Sequence, residues 1–264
     1  MIDDVLLRRI AAEESVPLGI IEKDLAISCA LDIISESGLR DHLVFKGGTA
    51  IKKFYHPEAR FSEDMDFTVL AQDEDEAISA LKRLFLDIQV ETVSFGEVYE
   101  ERFSQGGRRI RLPFTGPLRY RNSVRIDLSF RDDVILETRR RAVLHRYGDT
   151  LPSEIHVLDF TEIIAEKLRA LMERSYPRDY YDIWTHIDEI ADKSSLRELT
   201  ERKCALVGLE YSPATILDEH ILQRVETTWR TQLQHLLPNY VEFRAILPDL
   251  KAKLKFLEHS AAQP

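Results

Sequence analysis

Val44-Phe45-Lys46-Gly47-Gly48-Thr49, followed a dozen residues on by Phe61-Ser62-Glu63-Asp64-Met65-Asp66-Phe67, decides how this chain is read. His42 to Phe45 is a short apolar run, predicted to be a buried strand. The glycine pair ends it, and a helix is expected to start near Ala50. Two glycines after a strand let backbone N–H groups approach phosphate oxygens with no side chain between. The helix beyond adds its positive end, and Thr49 offers a hydroxyl. In the second segment Met65, Phe67 and Val69 alternate with Asp66 and Thr68, the pattern of a strand with one buried face. Asp64 and Asp66 then share the other face, because side chains on a strand repeat every two residues. Two carboxylates side by side repel unless a cation lies between them. Mg²⁺ suits such oxygen ligands and keeps waters and substrate phosphates as the remainder of its shell.

A third carboxylate extends the set. Val124 to Phe130 alternates like a strand and carries Asp127. If that strand neighbours the first, three carboxylates converge and two metals can bind. One would carry a triphosphate. The other would lower the pKa of an attacking hydroxyl and stabilise the leaving oxygen.

The charge distribution points the same way. The chain has 264 residues and a net charge of -10, which by itself argues against a nucleic-acid partner. From Glu101 to Arg146, however, there are twelve arginines, no lysine and five acids, a local +7, whereas Glu58 to Glu76 holds eight acids and one arginine. Arginine without lysine favours forked contacts to phosphate. An acidic patch beside an arginine-rich one suits a metal site facing a phosphate-bearing substrate. The two cysteines, Cys29 and Cys204, have neither metal-ligand spacing nor a disulfide framework, which fits a reducing cytoplasm. No apolar run reaches membrane-spanning length, and the acidic start, Met1-Ile2-Asp3-Asp4, is not that of a signal peptide. Histidines show no zinc spacing.

Along the chain, residues 3 to 37 read as two helices broken near Pro17. After the two signature segments, Glu74 to Leu86 reads as a helix. Val90 to Val98, Arg108 to Pro113 and Val124 to Phe130 read as strands, and Asp133 to Leu144 fits either state. Tyr147-Gly148-Asp149-Thr150-Leu151-Pro152-Ser153 is rich in turn residues and gives the expected boundary. It divides residues 1–150 from an all-helical 151–264, whose first helix carries the stripe Ile164, Leu168 and Leu171. Tyr180, Tyr181 and Trp184 read as core packing more readily than as a base-stacking platform. The expected fold is α+β: a small mixed sheet flanked by helices, then a helical C-terminal domain, with the active site between them.

The local wording resembles a known group. FKGGTAIKKFY (45–55), RFSEDMDFTV (60–69), EIIAEKLRALMER (162–174) and PRDYYDIW (177–184) look like the AbiEii/MenT toxins of toxin–antitoxin pairs, within the polymerase-β-type nucleotidyltransferase superfamily. The match covers about residues 40 to 190. The resemblance implies a polymerase-β-like nucleotidyltransferase domain and a growth-arresting enzyme that transfers nucleotides, with the tRNA 3′ end as acceptor. It implies Mg²⁺ and an NTP as cofactor and substrate, RNA and a cognate antitoxin as partners, and no membrane. Carried over by position, Gly47, Gly48 and Thr49 match the phosphate loop, with Lys46 and Ser62 beside it. Asp64 and Asp66 match the metal pair, and Asp127 matches the third carboxylate. Lys167 matches a helix lysine that contacts the nucleotide. Arg178, Asp179 and Asp182 match an Arg-Asp-x-x-Asp motif, in which Arg178 and Asp182, four apart, are placed to pair. Gly-Gly-Thr stands where many superfamily members have Gly-Ser. Three other functions fit less well: nucleotide transfer to a protein or small molecule, nucleotide binding without transfer, and a non-catalytic scaffold.

Overall fold

The computed structural model describes residues 2–70, 73–101, 107–131, 133–148 and 154–258. The chain is mixed α+β and divides into two compact units, Met1–Asp159 and Phe160–Pro264. Residues 149–153 of the turn-rich boundary segment, and Arg102 and Asp132 of the arginine-rich stretch, lie outside the described residues.

The first unit opens with α1 (Asp4–Glu14) and α2 (Leu18–Ser35). Asp3 caps α1 by accepting from the Leu6 N–H at 2.9 Å. Pro17 stands immediately before α2, where its fixed φ suits a helix start. Fourteen of the eighteen residues of α2 are buried, so it is a core helix. Next come β1 (Leu43–Lys46), α3 (Gly47–Ala50) running into a wider π turn over Ile51–Tyr55, β2 (Asp64–Val69) and α4 (Glu74–Phe85). The helix begins at Gly47, ahead of the expected Ala50, because the glycine pair itself forms its first turn.

The rest of this unit is β: β3 (Gln89–Val90), β4 (Val93–Phe95), β5 (Tyr99–Glu101), β6 (Gly107–Thr115), β7 (Arg121–Ser129), β8 (Arg139–Ala142) and β9 (Glu154–Val157). The single strand expected over Val90–Val98 is instead a hairpin, since Glu91 adopts a left-handed φ of 52° and reverses the chain. The sequence also placed residues after 150 in helices, yet Glu154–Val157 is a strand. It buries Ile155 and Val157 and pairs in parallel with β1 (Val44 beside His156, Phe45 beside Val157). Four residues are too few for periodicity to show, and the β1 partner supplies what the local pattern lacks.

The strands form one mixed sheet in the order β3-β4-β6-β7-β2-β1-β9-β8, with β5 on β6. One face is apolar: Met65 and Phe67, Ile110 and Leu112, Val124 and Ile126 are all buried. Helix α2 lies against β7 and β9, and the Phe45 and Phe67 rings meet at 4.9 Å. The polar residues between these apolar ones emerge on the opposite face, which carries the candidate site.

The second unit is helical among the described residues: α5 (Phe160–Glu173), α6 (Pro177–His186), α7 (Lys193–Leu206), α8 (Glu219–Leu233) and α9 (Phe243–Leu254). Ile164, Leu168 and Leu171 are fully buried, as the stripe predicted. Tyr180 is also fully buried and donates its hydroxyl to the Ile216 carbonyl at 2.7 Å, a core role. No helix among the described residues is long and apolar enough to cross a membrane.

Candidate active site

Strand register gathers the three carboxylates. Strands β2 and β7 run parallel with Asp66 beside Asp127 and Asp64 beside Arg125. Paired residues on adjacent strands share a face and sit about 4.8 Å apart. Asp64, Asp66 and Asp127 therefore occupy one small patch on the polar face, each only partly exposed. Strand β1 is antiparallel to β2 and sets Lys46 beside Asp66. Lys46 turns to Asp133, with Nζ 3.3 Å from its carboxylate, and the Thr68 hydroxyl donates to the same group at 3.0 Å. Asp133 is thus a fourth acid at this site. The sequence reading missed it because it follows β7 in an irregular stretch.

The glycine loop lies directly against the acids. Gly47 has φ +78°, and a Cβ there would fall 2.2 Å from Asp66 Oδ2. Only glycine permits both the left-handed backbone and that approach. A Cβ at Gly48 would meet Arg60 Nη2 at 2.8 Å and Ser62 Oγ at 3.5 Å, so Ser62 flanks the loop. Thr49 is buried, and its hydroxyl donates to the backbone carbonyl of Asp64. It ties the loop to β2.

Two arginines complete the patch. Arg109, opposite Asp127 on β6, forks onto that carboxylate with Nε and Nη2 at 2.6 and 2.8 Å. These bonds hold its guanidinium above its ordinary pKa. Arg125 donates to Asp64. Of the remaining arginines, Arg111 pairs with Glu101, and Arg108, on the other face of β6, pairs with Asp75 and Glu100. The sequence offers Arg109 only as part of an arginine-rich stretch suited to RNA and does not mark Arg125, because the stretch holds twelve arginines and only register shows which face the acids.

The other sequence-predicted residues lie in the helical unit. Lys167 on α5 is buried between two acids of α6, with Nζ 2.6 Å from Asp182 and 3.2 Å from Asp179. Arg174 reaches Asp179 at 3.4 Å. Arg178 is half-buried on α6. Both cysteine thiols are buried, and desolvation pushes Cys29 up to about 12 and Cys204 up to about 11, which disfavours the thiolate.

The family model of the nucleotidyltransferase AbiEii toxin, of type IV toxin–antitoxin systems, matches residues 29–255. The chain belongs to this family. It is a nucleotidyltransferase, and membership implies an NTP substrate, typically a divalent metal, and an antitoxin partner. Among solved structures it is similar to MenT4, a nucleotidyltransferase toxin from Mycobacterium tuberculosis H37Rv, at TM-score 0.78 and 21% identity, over 99% of this chain and 91% of that one. It is also similar to JHP933 from Helicobacter pylori, at TM-score 0.60 and 13% identity, over 92% of this chain and 94% of that one. At such identities the likeness is one of fold. No curated protein sequence matches the chain.

Proposed function

We propose that this AbiEii-family enzyme uses Mg²⁺ to transfer a nucleoside monophosphate from an NTP to RNA, with the tRNA 3′ end as acceptor and the cytoplasm as its place of work. The observation that carries the reading is the β2–β7 register, which groups Asp64, Asp66 and Asp127 on one face with Gly47 against them. Three carboxylates in such a patch fit a hard divalent cation. A cation held by them supplies Lewis-acid stabilisation of charge on the phosphates.

The chain's own groups do the remaining work. The backbone at Gly47 and Gly48, with Lys46 and Ser62 alongside, holds phosphate oxygens close to the acids. Lys167, Arg178 and Asp182 are assigned to the nucleotide by family position, Lys167 as a cation fixed by its two acids. The acceptor hydroxyl attacks the α-phosphate while the α–β bond breaks, and pyrophosphate leaves. Arg119, Tyr120 and Arg121 support an RNA acceptor. All three are exposed, at and beside the turn joining β6 to β7, and set an aromatic ring between two cations.

The test incubates the protein with Mg²⁺, each labelled NTP in turn and total cellular RNA, beside an Asp64→Asn/Asp66→Asn variant. Label in a tRNA-sized band with the wild type alone is the expected result and names the nucleotide. Label in protein or in small molecules instead would replace the acceptor. The absence of both Mg²⁺–NTP binding and transfer would overturn the proposal.

A further inference from the structure

The acidic patch is balanced by the chain itself. Arg109 grips both oxygens of Asp127 in the forked geometry that makes arginine–carboxylate pairs strong. Arg125 holds Asp64 from one strand away. These side chains are about a quarter and a third exposed, so the contacts are partly shielded from water. Arg125 is incompletely satisfied: its Nε is buried with no hydrogen-bond partner. A buried donor left in this state favours an arriving acceptor. The oxygens taken up by the guanidinium groups belong to the carboxylates that the proposed function gives to the metal. A forked guanidinium and a metal ion compete for the negative charge and the lone pairs of the two oxygens of Asp127.

We propose that Arg109 and Arg125 are positioning residues that hold the carboxylates as stand-in cations and are exchanged for the metal. The metal takes over the carboxylate oxygens. The displaced guanidinium groups, anchored on β6 and β7, turn to the phosphate oxygens that the nucleotide brings. Arg125 Nε then gains the acceptor it lacks. This rests on the reading of Asp64, Asp66 and Asp127 as the metal site and adds a coupling to it. Metal alone must compete with two arginines, whereas metal arriving with a triphosphate gives those arginines new partners. By linkage, each ligand tightens the other. The enzyme therefore binds free metal weakly and the metal–nucleotide pair more tightly.

Mn²⁺ is the probe, its free concentration followed by electron paramagnetic resonance. Wild type, Arg109→Gln and Arg125→Gln are titrated with and without a non-hydrolysable α,β-methylene NTP analogue. Without nucleotide, each Gln variant should bind Mn²⁺ roughly tenfold more tightly than wild type, since one charge-assisted competitor is gone. With the analogue present the order should reverse, because the variant has lost a phosphate donor. Arg109→Lys, which keeps the charge, should restore part of the competition. Arg139→Gln, an exposed arginine on β8, should leave Mn²⁺ affinity unchanged and so exclude a general charge effect. Thermal melts of each variant check folding. If Asp64→Asn/Asp66→Asn abolishes Mn²⁺ binding but both Gln variants bind as wild type or more weakly, the exchange is wrong and the metal site stands. If that double variant leaves Mn²⁺ binding intact, the metal-site reading fails and the exchange with it.

Discussion

Gly47→Ala is the sharpest perturbation of the site. The new methyl would fall 2.2 Å from Asp66 Oδ2 and 3.0 Å from its Cγ, against an ordinary contact of 3.4 Å. The terminal oxygen alone must retreat by more than 1 Å, and because Cγ and Cβ are also too close, the whole carboxylate has to swing away. The φ of +78° adds strain, roughly 1–2 kcal/mol for a residue with a Cβ. Misplacing a catalytic group by about 1 Å can cost about 100-fold in rate. The expected result is therefore a melting temperature lowered by roughly 2–8 °C, with kcat/KM down by roughly 100-fold or more. Gly48→Ala is the comparison. Its methyl would press on the Arg60 guanidinium tip and not on a carboxylate, and its loss should be smaller. Melting curves, Mn²⁺ titration and steady-state transfer on the pair provide the assay. A Gly47→Ala protein that binds Mn²⁺ and turns over like wild type would refute the argument that the loop and Asp66 are built against each other.

Two further predictions test the supports of the site. Glu22 on α2 is buried, accepts the Leu118 N–H at 2.8 Å and sits under Gly116, pinning the turn between β6 and β7; desolvation raises its pKa above the ordinary 4.5. A carboxyl with a raised folded pKa contributes stability that is full below its unfolded pKa and is lost as pH rises through the folded value. Glu22→Gln, which keeps an acceptor, should therefore be more stable than wild type at pH 7, with the gap closing toward pH 4.5; denaturant melts that show no gap at pH 7 contradict this. In the helical unit Lys203 is buried 2.5 Å from the fully buried Glu162. Lys203→Met should cost about 3–5 kcal/mol by removing the cation that Glu162 and Glu166 share, and Glu162→Gln added to it should recover part of the loss; urea melts in which the double variant is the weaker would exclude the buried pair as the cause.

What the sequence determined by itself is whatever depends on neighbours a few residues apart. Alternation around Met65 and Phe67 put Asp64 and Asp66 on one face, because strand side chains repeat every two residues. The paired glycines announced a loop no side chain could fill, and the apolar stripe of α5 marked a helix with a buried face. Register was beyond its reach. The pairing of Asp127 with Asp66, the selection of Arg109 and Arg125 from a dozen arginines, and the recruitment of Asp133 all come from strands meeting across tens of residues. The same holds for β9, whose four residues become a strand only because β1 offers them an edge. Lys167, read as a nucleotide contact, is held by Asp179 and Asp182 through the docking of α6 on α5. Local pattern fixes which way a side chain points, but its partner is chosen by burial and charge compensation summed over the whole unit, and that choice exists only once the sheet and helices have assembled.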